Sequence, residues 1–105
     1  PLAPLRPFTP HTITDPSTLT RTLATIRSQG YALVDEEWEE GLRSLAVPLH
    51  DRTGATIAAV NISTHVSRHS TDSCRTHLLP ALRETATAIE TDLHTAGRFT
   101  PIPLT

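Results

Sequence analysis

Four residues in one short stretch carry groups that bind metals or attack carbonyls: His65, His69, Cys74 and His77. In HVSRH, His65 and His69 stand four apart, the spacing at which two imidazoles on one helix face can share a zinc ion. Position 65 ends a strand pattern, however, and helix signals begin only near 70, so a zinc site is not expected. Cys74 and His77 on one helix face would be a nucleophile and its base. No third group is evident to orient the histidine, and an inert cysteine is the better reading. The carboxylates of DEEWEEG (Asp35, Glu36, Glu37, Glu39, Glu40) read as a solvated turn. No GxSxG elbow, Walker loop or GxGxxG is present. Catalysis, a metal and a cofactor are therefore not expected, and the chain does not read as an enzyme.

A quieter constellation lies in GLRSLAVPLHDRTGATIAAVNIS, residues 41–63. This reads as a β-hairpin turning at DRTG. If Asp51 faces Gly54, then 45 faces 60, 47 faces 58 and 44 faces 61. One face then holds Leu45, Val47, Leu49, Ala58, Val60 and Ile62, suited to packing on a helix. The other holds Leu42, Ser44, Ala46, Pro48, His50, Ile57, Ala59, Asn61 and Ser63. Odd parity would mix the two sets. Ser44, Asn61 and Ser63 offer uncharged donors and acceptors, which cost free energy if buried without partners. Either that face is wet, which spacing alone favours, or it floors a pocket whose ligand supplies the partners. Pro48 implies an edge or bulge on its other side. His50 reads as an exposed turn histidine at the rim of that face.

The elements that hold this hairpin are legible in outline. Prolines recur at 1, 4, 7 and 10, and Pro1, Pro4 and Arg6 fit a PxxPx+ pattern, but the bland reading is an extended lead-in over 1–14. Asp15 caps a helix that Pro16 starts and Gly30 ends, with Leu19, Leu23 and Ile26 as its apolar stripe. YALV, 31–34, is a short strand. Ser70 or Thr71 caps a long helix closed by Gly97, with Leu78, Leu82, Ala86, Ile89 and Leu93 buried, and Pro80 is expected to kink or restart it. Trp38, in the acidic loop, would fold over a pocket mouth or cover a subunit contact. The order of elements predicts an α+β domain, an antiparallel sheet with flanking helices, with a folded core over 15–97 and a tail over 98–105.

At 105 residues the chain is about one small domain. Its net charge of −2 comes with no basic stripe, which disfavours a grip on phosphate backbone. One cysteine cannot form an intrachain disulfide and fits a reducing compartment. No apolar run approaches the ~20 residues of a membrane span, and no signal peptide is seen. The chain starts on proline and has no methionine, as a piece of a longer protein would.

The segments TITDPSTLTRTLATIRSQ (12–29), GYALVDEEWEEGLRSLAVPLHDRTGATIAAVNISTHVSR (30–68) and LLPALRETATAIETDL (78–93) resemble the effector-binding domain of IclR-type transcriptional regulators. Among these they look most like the regulators of protocatechuate and β-ketoadipate catabolism. The likeness covers roughly residues 5–97. It implies a GAF-like fold, of which this chain holds the latter part, in a bacterial cytoplasmic protein. It also implies a homodimer or tetramer that meets DNA only through a winged helix-turn-helix domain this chain lacks, and no membrane. In such regulators the effector is a small organic acid, aromatic or dicarboxylic, held over the sheet by residues matching Val34, Ser44, Asn61 and Ser63. Members that bind glyoxylate or pyruvate carry an acid where Val34 stands, so the resemblance implies a ligand with an aromatic or aliphatic body. The competing readings are a structural or oligomerisation module without a ligand, and a small hydrolase using Cys74 or Ser44.

Overall fold

The computed structural model describes residues 4–96; Pro1 of the PxxP pattern, Gly97 and the tail lie outside them. Helix α1 (Pro16–Gln29) begins as expected. The Asp15 carboxylate accepts the Thr18 backbone N–H at 3.0 Å, and Pro16 occupies the first turn. At its end Gly30 takes φ +81 and donates to the Ile26 carbonyl, the left-handed cap that glycine adopts without a Cβ penalty. Three strands follow: β1 (Ala32–Asp35), β2 (Leu42–His50) and β3 (Thr56–His65). They form one antiparallel sheet in the order β1-β2-β3.

The hairpin keeps its predicted faces but not its predicted partners. Ser44 pairs with Ser63, Leu45 with Ile62 and Val47 with Val60, each two residues from the expected partner. Two irregularities cause this. The loop closes one residue later, with Asp51 donating to the Ala55 carbonyl around a left-handed Gly54 (φ +89). A bulge then separates Leu49↔Ala58 from His50↔Thr56. Each step alone would flip the strand; together they restore parity. The Asp51 carboxylate stiffens the loop by accepting from the Thr53 hydroxyl and from the Thr53 and Ala55 backbone N–H groups, an Asx arrangement that, through the Thr53 hydroxyl above all, also holds its pKa below the ordinary range.

On one face Leu45, Val47 and Leu49 are buried against Leu79, Leu82 and Ala86, with Tyr31, Leu33, Val60, Leu78 and Ile89 packed around them. The supporting helix starts at α2 (Thr71–Ser73), capped by Ser70, widens into a π-helical turn over Cys74–Leu78, and continues as α3 (Leu79–Ala96). The wide turn is where Pro80 acts. A proline ring collides with the carbonyl four residues back, and the turn before it relaxes to an i→i+5 bond, Leu79 N–H to the Cys74 carbonyl. This shifts the helical phase and brings Leu79, absent from the expected stripe, into the core at 5 % exposure. Helix α3 covers β2 more than β3, so Ile62 stays 39 % exposed on the same face. The stripe of α1 is covered less still: no residue of that helix is buried. The core ends at Arg43, whose guanidinium bonds Asp35 at 2.7 Å and the His69 carbonyl at 2.6 Å.

The lead-in is more than extended chain. Residues 8–12 make a turn in which Thr9 and Thr12 donate to the carbonyls of Glu36 and Glu37, and Thr9 is buried. The acidic segment is not simply a solvated turn. Asp35 belongs to β1, while Glu36 accepts the Gly41 N–H and Glu37 accepts the Ile13 N–H.

The burial pattern predicts the response to truncation. Leu45→Ala should cost roughly 2–5 kcal/mol, as large-to-small changes in cores do. Leu23→Ala, at a side chain 54 % exposed, should cost within about 0.5 kcal/mol. Urea unfolding midpoints of the two variants check both.

Candidate functional site

The sheet face opposite the core carries the predicted polar residues. In β1 and β2, Val34 pairs with Ser44; in β2 and β3, Ser44 pairs with Ser63. Opposed residues of an antiparallel sheet point the same way with Cβ atoms about 5 Å apart. Val34, Ser44 and Ser63 therefore form one rung across all three strands. Ala32, Ala46 and Asn61 form the next, about 7 Å along at the rise of a strand. All four expected residues share one face in two adjacent rungs.

The two serines touch, Oγ to Oγ at 2.9 Å. One hydroxyl donates to the other, which leaves one O–H and several lone pairs for a third group. Asn61 is exposed and makes no side-chain hydrogen bond among the described residues. Val34 and Ser44 are half-buried. The rung offers uncharged donors and acceptors beside an apolar wall. That arrangement can orient a carboxylate or hydroxyl but cannot activate a nucleophile.

From the second rung onward, with Ala32 and Ala46 among its lining, the face opens into a cleft of about 810 Å³. β1 pairs only with residues 43–46 of β2, so β2 from Val47 to His50 has no partner on that side among the described residues. Pro48, which lacks an N–H, sits on this open edge, as its chemistry requires. Helix α1 stands across the gap with Leu23 and Ile26, and Ala46, Pro48 and Ala59 make the floor. None of Val34, Ser44, Asn61 or Ser63 lines the cleft.

His50 does line it, and it is not the free turn histidine expected. Its backbone N–H donates to Glu90 Oε2 at 2.5 Å, and its Nδ1 lies 2.9 Å from the same oxygen. His94 Nε2 bonds the His50 carbonyl at 2.9 Å. The bond from the His50 backbone, opposed by partial burial and helped by the ring, holds the Glu90 carboxyl below the usual glutamate range. Glu90 lies forty residues away in sequence, and no local pattern announces the contact.

The other constellations dissolve. Cys74 is 2 % exposed and His77 is exposed, so they share no face. His65 Nδ1 meets Ser67 Oγ, and His69 Nδ1 meets Ser73 Oγ. Among the described residues no group of three or more His, Cys, Asp or Glu side chains is placed to hold a metal, and no helix is long and apolar enough to cross a membrane. Trp38 packs against Phe8 in a tilted pair with ring centres 4.9 Å apart, stays 67 % exposed and does not line the cleft.

Comparison with known proteins identifies the class. Residues 2–91 match the family model described as bacterial transcriptional regulator IclR C-terminal, and the chain belongs to the IclR family. It is 42 % identical over 80 residues to the Pca regulon regulatory protein of Pseudomonas putida, covering 76 % of this chain and 28 % of that protein. It is 42 % identical over 82 residues to the p-hydroxybenzoate hydroxylase transcriptional activator of Acinetobacter baylyi, covering 78 % of this chain and 30 % of that one. The chain thus spans under a third of either relative. Among solved structures, a transcriptional regulator from Rhodococcus sp. RHA1 superposes with a TM-score of 0.85 at 42 % identity, over 88 % of this chain and 38 % of that one. The inducer-binding domain of PobR from Acinetobacter, a double mutant in complex with 3-hydroxybenzoic acid, superposes at 0.78 with 38 % identity, over 83 % and 50 %. The α+β sheet-and-helix architecture is that of the IclR C-terminal domain, present here in part.

The Glu90 contact has a pH signature. A carboxyl whose folded pKa is depressed adds stability that is fully present above its unfolded pKa and is lost as pH falls through the folded value. The stability gap between the unmodified chain and Glu90→Gln should be flat above about pH 5 and shrink below about pH 4.3, the ordinary glutamate value. Denaturant titrations from pH 3 to 7 measure it; a gap that widens on acidification would contradict the assignment.

Proposed function

We propose that this chain is the ligand-sensing part of a bacterial transcriptional regulator and that its effector is an aromatic acid or a product of aromatic breakdown. The observation that carries the reading is the gathering of Val34, Ser44, Ser63 and Asn61 in two adjacent rungs of one half-covered face. The serine pair keeps donor and acceptor capacity to spare and the exposed Asn61 amide makes no side-chain bond among the described residues, so a ligand carboxylate or hydroxyl suits both. Val34 supplies the apolar side, which favours a ring or chain over a two- or three-carbon acid. The relatives named for protocatechuate and p-hydroxybenzoate pathways, and the PobR complex with 3-hydroxybenzoic acid, support the same class. Binding acts here as signalling, not turnover: the effector shifts a balance between arrangements by its difference in affinity for them. In the whole regulator that balance would be read by DNA-binding domains outside this chain, in an assembly of two or four copies working in the cytoplasm. The regulator relatives support a non-catalytic role.

Thermal-shift titration with protocatechuate, 4-hydroxybenzoate, β-ketoadipate, glyoxylate and pyruvate tests the proposal. A ligand specific for the folded state raises the melting temperature in step with its concentration over Kd. An aromatic or dicarboxylic acid should give a saturable rise, weakened at least tenfold in Ser44→Ala/Asn61→Ala while the ligand-free melting temperature moves by only a few degrees. Binding unchanged by that double substitution would remove these residues from the site. Altered assembly without altered binding would favour the oligomerisation module.

A further inference from the structure

The cleft beyond the polar rungs has a chemistry of its own. Its lining is mostly apolar, with Leu23, Ile26, Ala46, Pro48 and Ala59 among the contributors. Its charged and titratable groups are Arg27, Arg83, His50 and the phenol of Tyr31, and no carboxylate lines it. In a chain with 11 acidic residues and 9 basic ones, that is a local excess of positive charge. An apolar body with cations at its margin is the complement of an amphipathic acid.

The polar groups are also positioned. Arg83 reaches from α3 to the Gln29 carbonyl at 3.2 Å, with its guanidinium carbon 5.6 Å from the Tyr31 ring centre. A guanidinium carries five N–H donors, so others remain for a ligand carboxylate. Arg27 is exposed and makes no ion pair among the described residues. Glu90, an ionised carboxylate, can only accept, so the His50 ring must donate to it through Nδ1. The neutral imidazole then carries a lone pair on Nε2, and its side chain is 41 % exposed. Such a nitrogen accepts a hydrogen bond from a hydroxyl.

We propose that the cleft between α1 and the open edge of β2 is a second ligand site, for a hydroxylated carboxylic acid with an aromatic or compact apolar body. Arg27 and Arg83 hold the carboxylate, and His50, oriented by Glu90, accepts from the hydroxyl. The site is separate from the rung of Ser44 and Ser63. Strand geometry puts His50 about 20 Å along β2 from Ser44, six residues at ~3.3 Å each, beyond the reach of one small ring.

Methyl and amide NMR on the 105-residue chain, titrated with 4-hydroxybenzoate and with benzoate at pH 8, tests this directly. Saturable shifts should centre on Leu23, Ile26 and Ala59. Arg27→Gln/Arg83→Gln should weaken them at least tenfold, and Ser44→Ala/Asn61→Ala should leave them unchanged. Benzoate should bind several-fold more weakly, and His50→Leu should erase that difference. If the arginine pair fails to fold, Arg27→Gln alone, at an exposed position, carries the test with a loss of at least threefold. Shifts confined to Ser44, Asn61 and Ser63 would overturn the cleft site while leaving the polar-rung reading intact. No saturable shift with either acid would also overturn it.

Discussion

Everything in this domain depends on which way β2 faces. It is the middle strand, so both of its surfaces are committed. Leu45, Val47 and Leu49 are driven against α3, and full burial of each aliphatic side chain stabilises the fold by about 1.5–3 kcal/mol. A one-residue slip would expel all three. The alternate residues have no freedom left: once the odd positions take the core, Ser44, Ala46, Pro48 and His50 must take the other face. The polar rung and the cleft floor are therefore consequences of the core. A surface built this way is rigid because its backbone is held from behind by apolar packing.

Period-two alternation is why so much of this was legible in the sequence. Leu45, Val47 and Leu49 announce a face without any partner being known, and the caps at Asp15, Gly30 and Ser70 are local chemistry readable over four residues. Pairing is a different matter. The extra loop residue at Ala55 and the bulge beside His50 each displace the register by one. No pattern in DRTG distinguishes a tight turn from a wider one with a compensating bulge. The faces survived because two odd displacements make an even one.

Leu79 escaped for a related reason. In an unbroken α-helix Cys74 stacks beneath Leu78, four residues on. In the π-helical turn the stacking separation becomes five, and Leu79 takes the buried place. Pro80 signalled a disturbance but not its sign. The contacts that were invisible outright are the long-range ones: Glu90 on His50, and Thr9 and Thr12 on the carbonyls of the acidic segment. As for the polar site, spacing placed Ser44, Asn61 and Ser63 on one face, yet it could not separate a wet face from a pocket floor. Only the resemblance tilted that choice toward a ligand, and their assignment as contacts rests on it still.

The distribution of burial bears on how such a domain signals. Helix α3 is welded to β2 through Leu79, Leu82 and Ala86, whereas α1 has no buried residue and joins the rest chiefly through Gly30, Tyr31 and the Arg83 bond to Gln29. Local stability follows buried apolar contact, so among the described residues α1 is the element held least by such packing. An occupant of the cleft would touch Leu23 and Ile26 on one side and the immobile β2 edge on the other. Its binding free energy would then differ most between arrangements that differ in where α1 lies, which is the condition for a ligand to shift a conformational balance at all. The polar rung lacks that leverage on its own, since every residue in it belongs to the sheet. A sensor would need a contact on an element outside the rigid sheet, and among the described elements α1, with no buried residue, meets that requirement best.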